Sequence, residues 1–97
     1  MIRFSVLYPK TEGATFDHDY YRDKHIPLAL QTWGVEGAKV EIDRGIDGPY
    51  VAVAHIWFDS LEAMRQALGR PGGADLAADV PNYTNVTPVA QTSERVG

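Results

Sequence analysis

The chain of 97 residues contains no cysteine, which excludes disulfides, thiolate metal sites and a cysteine nucleophile. No stretch approaches the roughly 20 consecutive apolar residues that a membrane-spanning helix needs. Lys and Arg nowhere cluster and the formal net charge is −4, so neither nucleic acid nor membrane is an expected partner. The opening MIRFSVLY is too short for the apolar region of a signal peptide, and Pro9-Lys10 ends it. The expected location is therefore the cytoplasm. Gly-x-Gly-x-x-Gly, P-loop, Gly-x-Ser-x-Gly, His-x-x-x-His and Glu-x-x-His patterns are all missing. Neither an organic cofactor nor a metal ion is expected.

Apolar residues make up 44% of the chain and charged residues 23%, the balance of an ordinary globular protein. The length suits one domain, residues 1–97. Two Trp, five Tyr and three Phe supply much of a core that a domain this small can only make modest.

Ile2, Phe4, Val6 and Tyr8 alternate with Arg3, Ser5 and Leu7, which predicts a first strand. Asp17 then has the character of an N-cap, with Asp19 in the first turn where the helix dipole favours it. Phe16 and Tyr21 have the spacing of a hydrophobic staple. This first helix is expected to run to about Trp33 and stop at Gly34, with Pro27 kinking it or deleting the bond to the Asp23 carbonyl. A second strand is expected over residues 38–46, then a turn at Asp47-Gly48-Pro49 and a strong third strand from Tyr50 to Phe58. Asp59 or Ser60 caps a second helix carrying Leu61, Met64, Ala67 and Leu68 at helical spacing, which Gly69 ends. A short helical turn over residues 74–80 stops at Pro81. A fourth strand over about 84–92, interrupted by Pro88, belongs at a sheet edge or beside a bulge.

The order is βαββαβ. It predicts the α+β, ferredoxin-like fold: a four-stranded antiparallel sheet with both helices on one face. Tyr50 to Phe58 is apolar on both of its faces. Since helices cover one face only, a second copy of the chain is expected to cover the other, giving a homodimer packed sheet against sheet.

Only three side chains titrate near neutrality, His18, His25 and His55. His25 lies one turn after Tyr21 and beside an arc of Tyr20, Pro27 and Leu30. That position suits either a histidine bonded to a carbonyl freed by Pro27, or a general acid or base facing a cleft. His55, mid-strand, lines the same cleft if it points to the helices and the dimer interface if it points away. Asp79, at the end of the short turn, is either a helix-end cap or a carboxylate that orients an imidazole or binds a ligand hydroxyl.

Phe16-Asp17, Tyr20-Tyr21 and Lys24-His25-Ile26-Pro27-Leu28, together with the later Ala78-Asp79-Val80-Pro81-Asn82-Tyr83-Thr84 after a Ser60-Leu61-Glu62-Ala63 helix start, resemble the two signatures of the EthD family. The resemblance implies a dimeric α+β barrel, in which two ferredoxin-like subunits pack sheet to sheet. It makes His25 the motif histidine, with Tyr20, Tyr21, Asp79 and Asn82 beside it. The expectation is a small cofactor-independent enzyme of oxygenase, isomerase or cyclase type, acting on a hydrophobic, oxygenated small molecule. In it His25 moves the proton, Tyr21 donates to the oxyanion and Asp79 holds the imidazole, while Tyr20, His55, Trp57, Asn82 and Tyr83 contact the substrate. The alternative is a non-catalytic protein that binds such a molecule or assists an oxygenase.

Overall fold

The computed structural model describes residues 1–97 in full. Strand β1 (Ile2–Pro9) is followed by a helix made of three consecutive segments: α-helical His18–Tyr20, π-helical Tyr21–His25 and α-helical Ile26–Trp33, together called α1. Then come β2 (Val40–Arg44), β3 (Tyr50–Phe58), α2 (Leu61–Leu68), α3 (Gly73–Asp79) with a 3₁₀ turn Val80–Asn82 at its end, and β4 (Val89–Glu94). The sheet order is β2-β3-β1-β4, and every neighbouring pair is antiparallel. This is the ferredoxin-like arrangement, with β4 on an edge. Pro88 precedes β4 rather than interrupting it, so the strand begins later than its β-forming residues suggest.

The local rules act where the residues place them. Asp17 Oδ1 accepts from the Tyr20 backbone N–H at 3.0 Å, and the Phe16 and Tyr21 rings meet with centroids 5.1 Å apart, closing the staple. Ser60 Oγ caps α2 by accepting from the Ala63 N–H. Gly34 ends α1 with φ of 69°, a left-handed conformation in which its N–H reaches back to the Leu30 and Gln31 carbonyls.

Pro27 acts one turn earlier than a simple kink would. The Ile26 N–H donates to the Tyr21 carbonyl, five residues back, so the helix takes in one extra residue just before the proline. That relieves the proline ring's clash with the preceding turn and rotates the face that follows. The buried side of α1 is consequently Tyr21, His25, Ile26 and Ala29, while Pro27 is exposed. The apolar arc expected to include Pro27 is corrected on this point.

On β3, Ala52, Ala54, Ile56 and Phe58 are buried beneath the helices, and Val51, Val53, His55 and Trp57 lie half-buried on the opposite face. The core has two centres. One joins Tyr8, Tyr21, Ile26, Tyr83 and Val86 over Ala52 and Ala54. The other joins Ile56 and Phe58 with Met64 and Ala67 of α2. Small residues at 52 and 54 let the bulky aromatics sit directly on the sheet. No helix is long and apolar enough to cross a membrane.

Candidate functional site

The two motif segments, some 55 positions apart in sequence, are strapped together. The Asp17 N–H donates to the Tyr83 carbonyl at 2.7 Å, Thr84 Oγ1 donates to the Thr15 carbonyl at 2.7 Å, and Phe16 bridges Thr84 as an isolated antiparallel pair. Asn85 adds two side-chain bonds, accepting from the Thr15 N–H and donating to the Gly13 carbonyl. These contacts bring the end of α3 against the π-helical stretch of α1.

His25 and Asp79 meet there. His25 Nδ1 lies 2.9 Å from Asp79 Oδ2, and the two side chains are only 10% and 12% exposed. The other carboxylate oxygen, Oδ1, accepts from the Tyr20 phenol at 2.7 Å and from Asn82 Nδ2 at 3.0 Å. Burial pushes the Asp79 carboxyl up, but the hydrogen bonds from Tyr20, Asn82 and His25 outweigh it and leave the carboxyl below its usual range. Asp79 is therefore ionised at neutral pH and can only accept. The proton on His25 must then sit on Nδ1, and the neutral imidazole keeps its lone pair on Nε2. The hydrogen bond to Asp79 in turn raises the Tyr20 phenol.

A folded-state carboxyl below the unfolded value of about 3.9 contributes stability that is present above that pH and is lost as pH falls through the folded value. An Asp79→Asn variant lacks this contribution. The difference in urea midpoint between the wild type and that variant should thus shrink as pH is lowered below about 4. A difference that stays constant from pH 7 down to pH 2.5 would show that Asp79 is not held in its charged form.

His25 also forms part of the wall of a cavity of about 240 Å³ between the sheet and helices α1 and α3. Phe4, Val6 and Ile56 form its floor, Ala29 and Leu76 its sides, and exposed Ala77, Val89 and Ala90 border it where α3 faces β4. The lining side chains that carry polar atoms are His25, Trp33 and the three tyrosines Tyr8, Tyr21 and Tyr83. The Tyr21 ring stacks on His25, with centroids 5.5 Å apart and planes 14° apart, and the Tyr83 ring tilts against it at 4.6 Å. The Tyr8 and Tyr83 hydroxyls share a hydrogen bond of 2.7 Å. Burial raises all three phenols above the ordinary tyrosine value, Tyr21 and Tyr83 strongly, while at Tyr8 hydrogen bonds from Tyr83 and Tyr21 oppose part of the effect. They stay protonated and remain donors.

The structure brings together His25, Tyr21, Asp79 and Tyr83, and it separates others. Tyr20 and Asn82 are not in the wall of this cavity; each donates a hydrogen bond to Asp79 Oδ1 and so helps hold the carboxylate. His55 and Trp57 lie on the opposite face of the sheet, where His55 Nδ1 is 2.7 Å from Ser5 Oγ and Lys39 Nζ sits 4.9 Å over the Trp57 ring. Of the two faces open to His55 the structure takes the one away from the helices, and the substrate contact expected of His55 and Trp57 in the helix-side cleft is corrected: strand alternation puts 55 and 57 on the side away from buried 54 and 56. The carbonyl-bonded alternative for His25 is likewise replaced, since its partner is a carboxylate. Tyr8 was not anticipated as a site residue. The signal for it was its alternation with Phe4 and Val6, which marks a phenol on the core face of a central strand. No three His, Asp or Glu side chains are arranged to hold a metal ion.

Residues 10–87 match the family model described as the EthD domain. An uncharacterized 11.0 kDa protein from the thcB–thcC intergenic region of Rhodococcus erythropolis is 32% identical over 89 residues, covering 88% of this chain and 85% of that protein. The crystal structure of an EthD-like protein from Ralstonia eutropha superposes with a TM-score of 0.84 at 38% identity, covering 96% of this chain and 89% of that one. SnoaB, a cofactor-independent oxygenase from Streptomyces nogalater, shares the fold with a TM-score of 0.62 at 12% identity, over 98% of this chain and 94% of that one.

Proposed function

The chain belongs to the EthD family, and from that premise we propose that it is an acid–base enzyme acting on a small oxygenated apolar molecule without a cofactor. The observation that carries this reading is that His25 is bonded to the Asp79 carboxylate at 2.9 Å and also lines an apolar cavity. A general base needs both a partner that sets its tautomer and open space on its other side.

In this mechanism the substrate carbonyl lies among the phenols. His25 Nε2 takes a proton from the carbon alpha to that carbonyl and becomes imidazolium, stabilised by Asp79. The electron pair of the broken C–H bond moves onto the carbonyl oxygen as an enolate. Tyr21 donates to that oxygen, and so does the spare hydroxyl hydrogen of the Tyr8–Tyr83 pair, because one of those two phenols uses its hydrogen on the other. Returning the proton to a different atom gives an isomer; attack of the enolate carbon on a second carbonyl carbon gives a cyclised alkoxide, and its reaction with dioxygen as co-substrate gives a peroxide anion, each then protonated by the His25 imidazolium. The fold carries cofactor-independent oxygenation in SnoaB, which supports chemistry of this general kind. Two copies pack through the sheet face that carries Leu7, Val51, Val53 and Trp57, a half-buried apolar surface on the side without helices.

The test is deuterium uptake from D₂O alpha to the carbonyl of small ketones, followed by NMR. His25→Ala should retain the wild-type circular dichroism spectrum and sedimentation behaviour while uptake falls roughly 100-fold or more. Free imidazole, added to occupy the space left by the side chain, should restore part of it. Uptake that persists at the wild-type rate in H25A would remove His25 from the chemistry and leave a ligand-binding protein.

A further inference from the structure

We infer that the His25 cavity selects an uncharged, single-ring compound bearing a carbonyl or hydroxyl group, and rejects carboxylates of the same size and shape. This inference rests on the cavity being the ligand site of the function proposed above. It adds the charge and the size of what enters.

Charge is decided by what the wall lacks. None of the 16 lining residues is Lys, Arg, Asp or Glu. The only group there that can become positive is His25, and its charge is already matched by Asp79 at 2.9 Å. The pair is neutral when the imidazole is protonated and carries one negative charge when it is not. A buried anion would therefore lose its hydration and find no uncompensated cation. The phenols can accept an oxygen with partial charge, because burial keeps them protonated, but they offer no counter-charge. An anion is tolerable only as a delocalised enolate or phenolate formed inside, whose proton has just moved to His25.

Size follows from the volume. A dry apolar cavity of about 150 Å³ takes one benzene molecule. At about 240 Å³, the space holds one six-membered ring with a few substituent atoms, about ten non-hydrogen atoms in all by the same proportion. Fused ring systems exceed it unless much of the molecule stays outside, between α3 and β4.

The experiment uses the wild-type protein and three probes at near-neutral pH: 4-hydroxyacetophenone, 4-hydroxybenzoate and 2-hydroxyanthraquinone. The first two have the same number of non-hydrogen atoms and nearly the same outline, and they differ by one full negative charge. Titration calorimetry should give a dissociation constant at least tenfold lower for the ketone than for the benzoate. NMR shifts on ketone binding should fall on the methyls of Ala29, Ala77 and Val80, which line the cavity. In Ala77→Lys, with a cation added at the border, the preference should narrow or reverse. Equal or tighter binding of 4-hydroxybenzoate to the wild type overturns the charge selection. Tighter binding of the anthraquinone than of the ketone overturns the size limit. Failure of all three to bind, or shifts confined to the opposite sheet face, overturns the site itself. Binding is read without turnover, so the outcome is separate from the loss of deuterium uptake in H25A. The selection can fail while His25 still acts as a base, and it can hold in a protein that only binds.

Discussion

Replacing Asp79 by Asn is expected to leave the fold intact and to cut activity roughly 100- to 10,000-fold by trapping His25 in the wrong tautomer. The reason lies in the two other donors on the same carboxylate. The Tyr20 phenol and Asn82 Nδ2 both point at Oδ1, at 2.7 and 3.0 Å. In the variant, the amide carbonyl takes that position, because the opposite orientation would set its NH₂ against the Asn82 NH₂. The amide nitrogen is then left facing His25 Nδ1, where the wild type has an acceptor at 2.9 Å. An N–H donor at that place is satisfied only by a bare Nδ1, so the imidazole proton moves to Nε2 and the base is gone. Two measurements check this. Deuterium uptake alpha to a ketone carbonyl should fall as stated, and nitrogen NMR of the imidazole should show protonation on Nδ1 in the wild type and on Nε2 in D79N. Wild-type uptake in a variant with the switched tautomer would mean that His25 Nε2 takes no proton in the reaction.

Tyr21→Ala should be the most destabilising single truncation in the aromatic centre, costing about 3–5 kcal/mol. Tyr21 is 1% exposed, and its ring meets those of Tyr8, Phe16, His25 and Tyr83 at centroid distances of 5.0 to 5.5 Å. Removing it deletes four aromatic contacts and opens a void that the rigid sheet below, with Ala52 and Ala54 already at full burial, cannot close. Against a total stability of roughly 5–15 kcal/mol for a domain this size, the loss is a large share. At roughly 4–8 °C per kcal/mol, the thermal midpoint should fall by more than about 12 °C. Tyr21→Phe keeps the ring and removes one phenol, so it should stay within about 1.5 kcal/mol of wild type. A Y21A midpoint within 3 °C of wild type would show that the aromatic centre repacks freely, contrary to the geometry. The comparison also separates the two roles of Tyr21: the ring supports His25, and the hydroxyl serves a ligand oxygen.

Most of the local architecture was legible in the residues. Asp17, Phe16 and Tyr21 announce the start of the first helix, Gly34 its end and Ser60 the start of the next, and each acts in the structure as its chemistry dictates. The order of strands and helices follows from hydrophobic periods of two and about 3.6 residues, which depend only on neighbours in the chain. The resemblance to a family added which histidine and which carboxylate to examine, namely His25 and Asp79.

What the residues alone left open is whatever depends on which segments meet. His55 is as polar as His25, and only the pleat relative to Ala54 and Ile56 sends it to the other face of the sheet, beside Ser5. Tyr20 and Tyr21 are adjacent and chemically alike. The helix nonetheless directs the first to Asp79 and the second into the cavity wall. Pro27 is written in the sequence as a helix fault, but the form that fault takes, an extra residue closed by the bond from the Ile26 N–H to the Tyr21 carbonyl, is visible only in the folded helix. Tyr8 joins the site because β1 lies at the centre of the sheet, paired on both sides. Composition, periodicity and caps act over a few residues and so determined the elements. The hydrogen bonds that tie residues 13–17 to 83–85, and with them the His25–Asp79 pair, act across the fold and were decided only when the chain closed on itself.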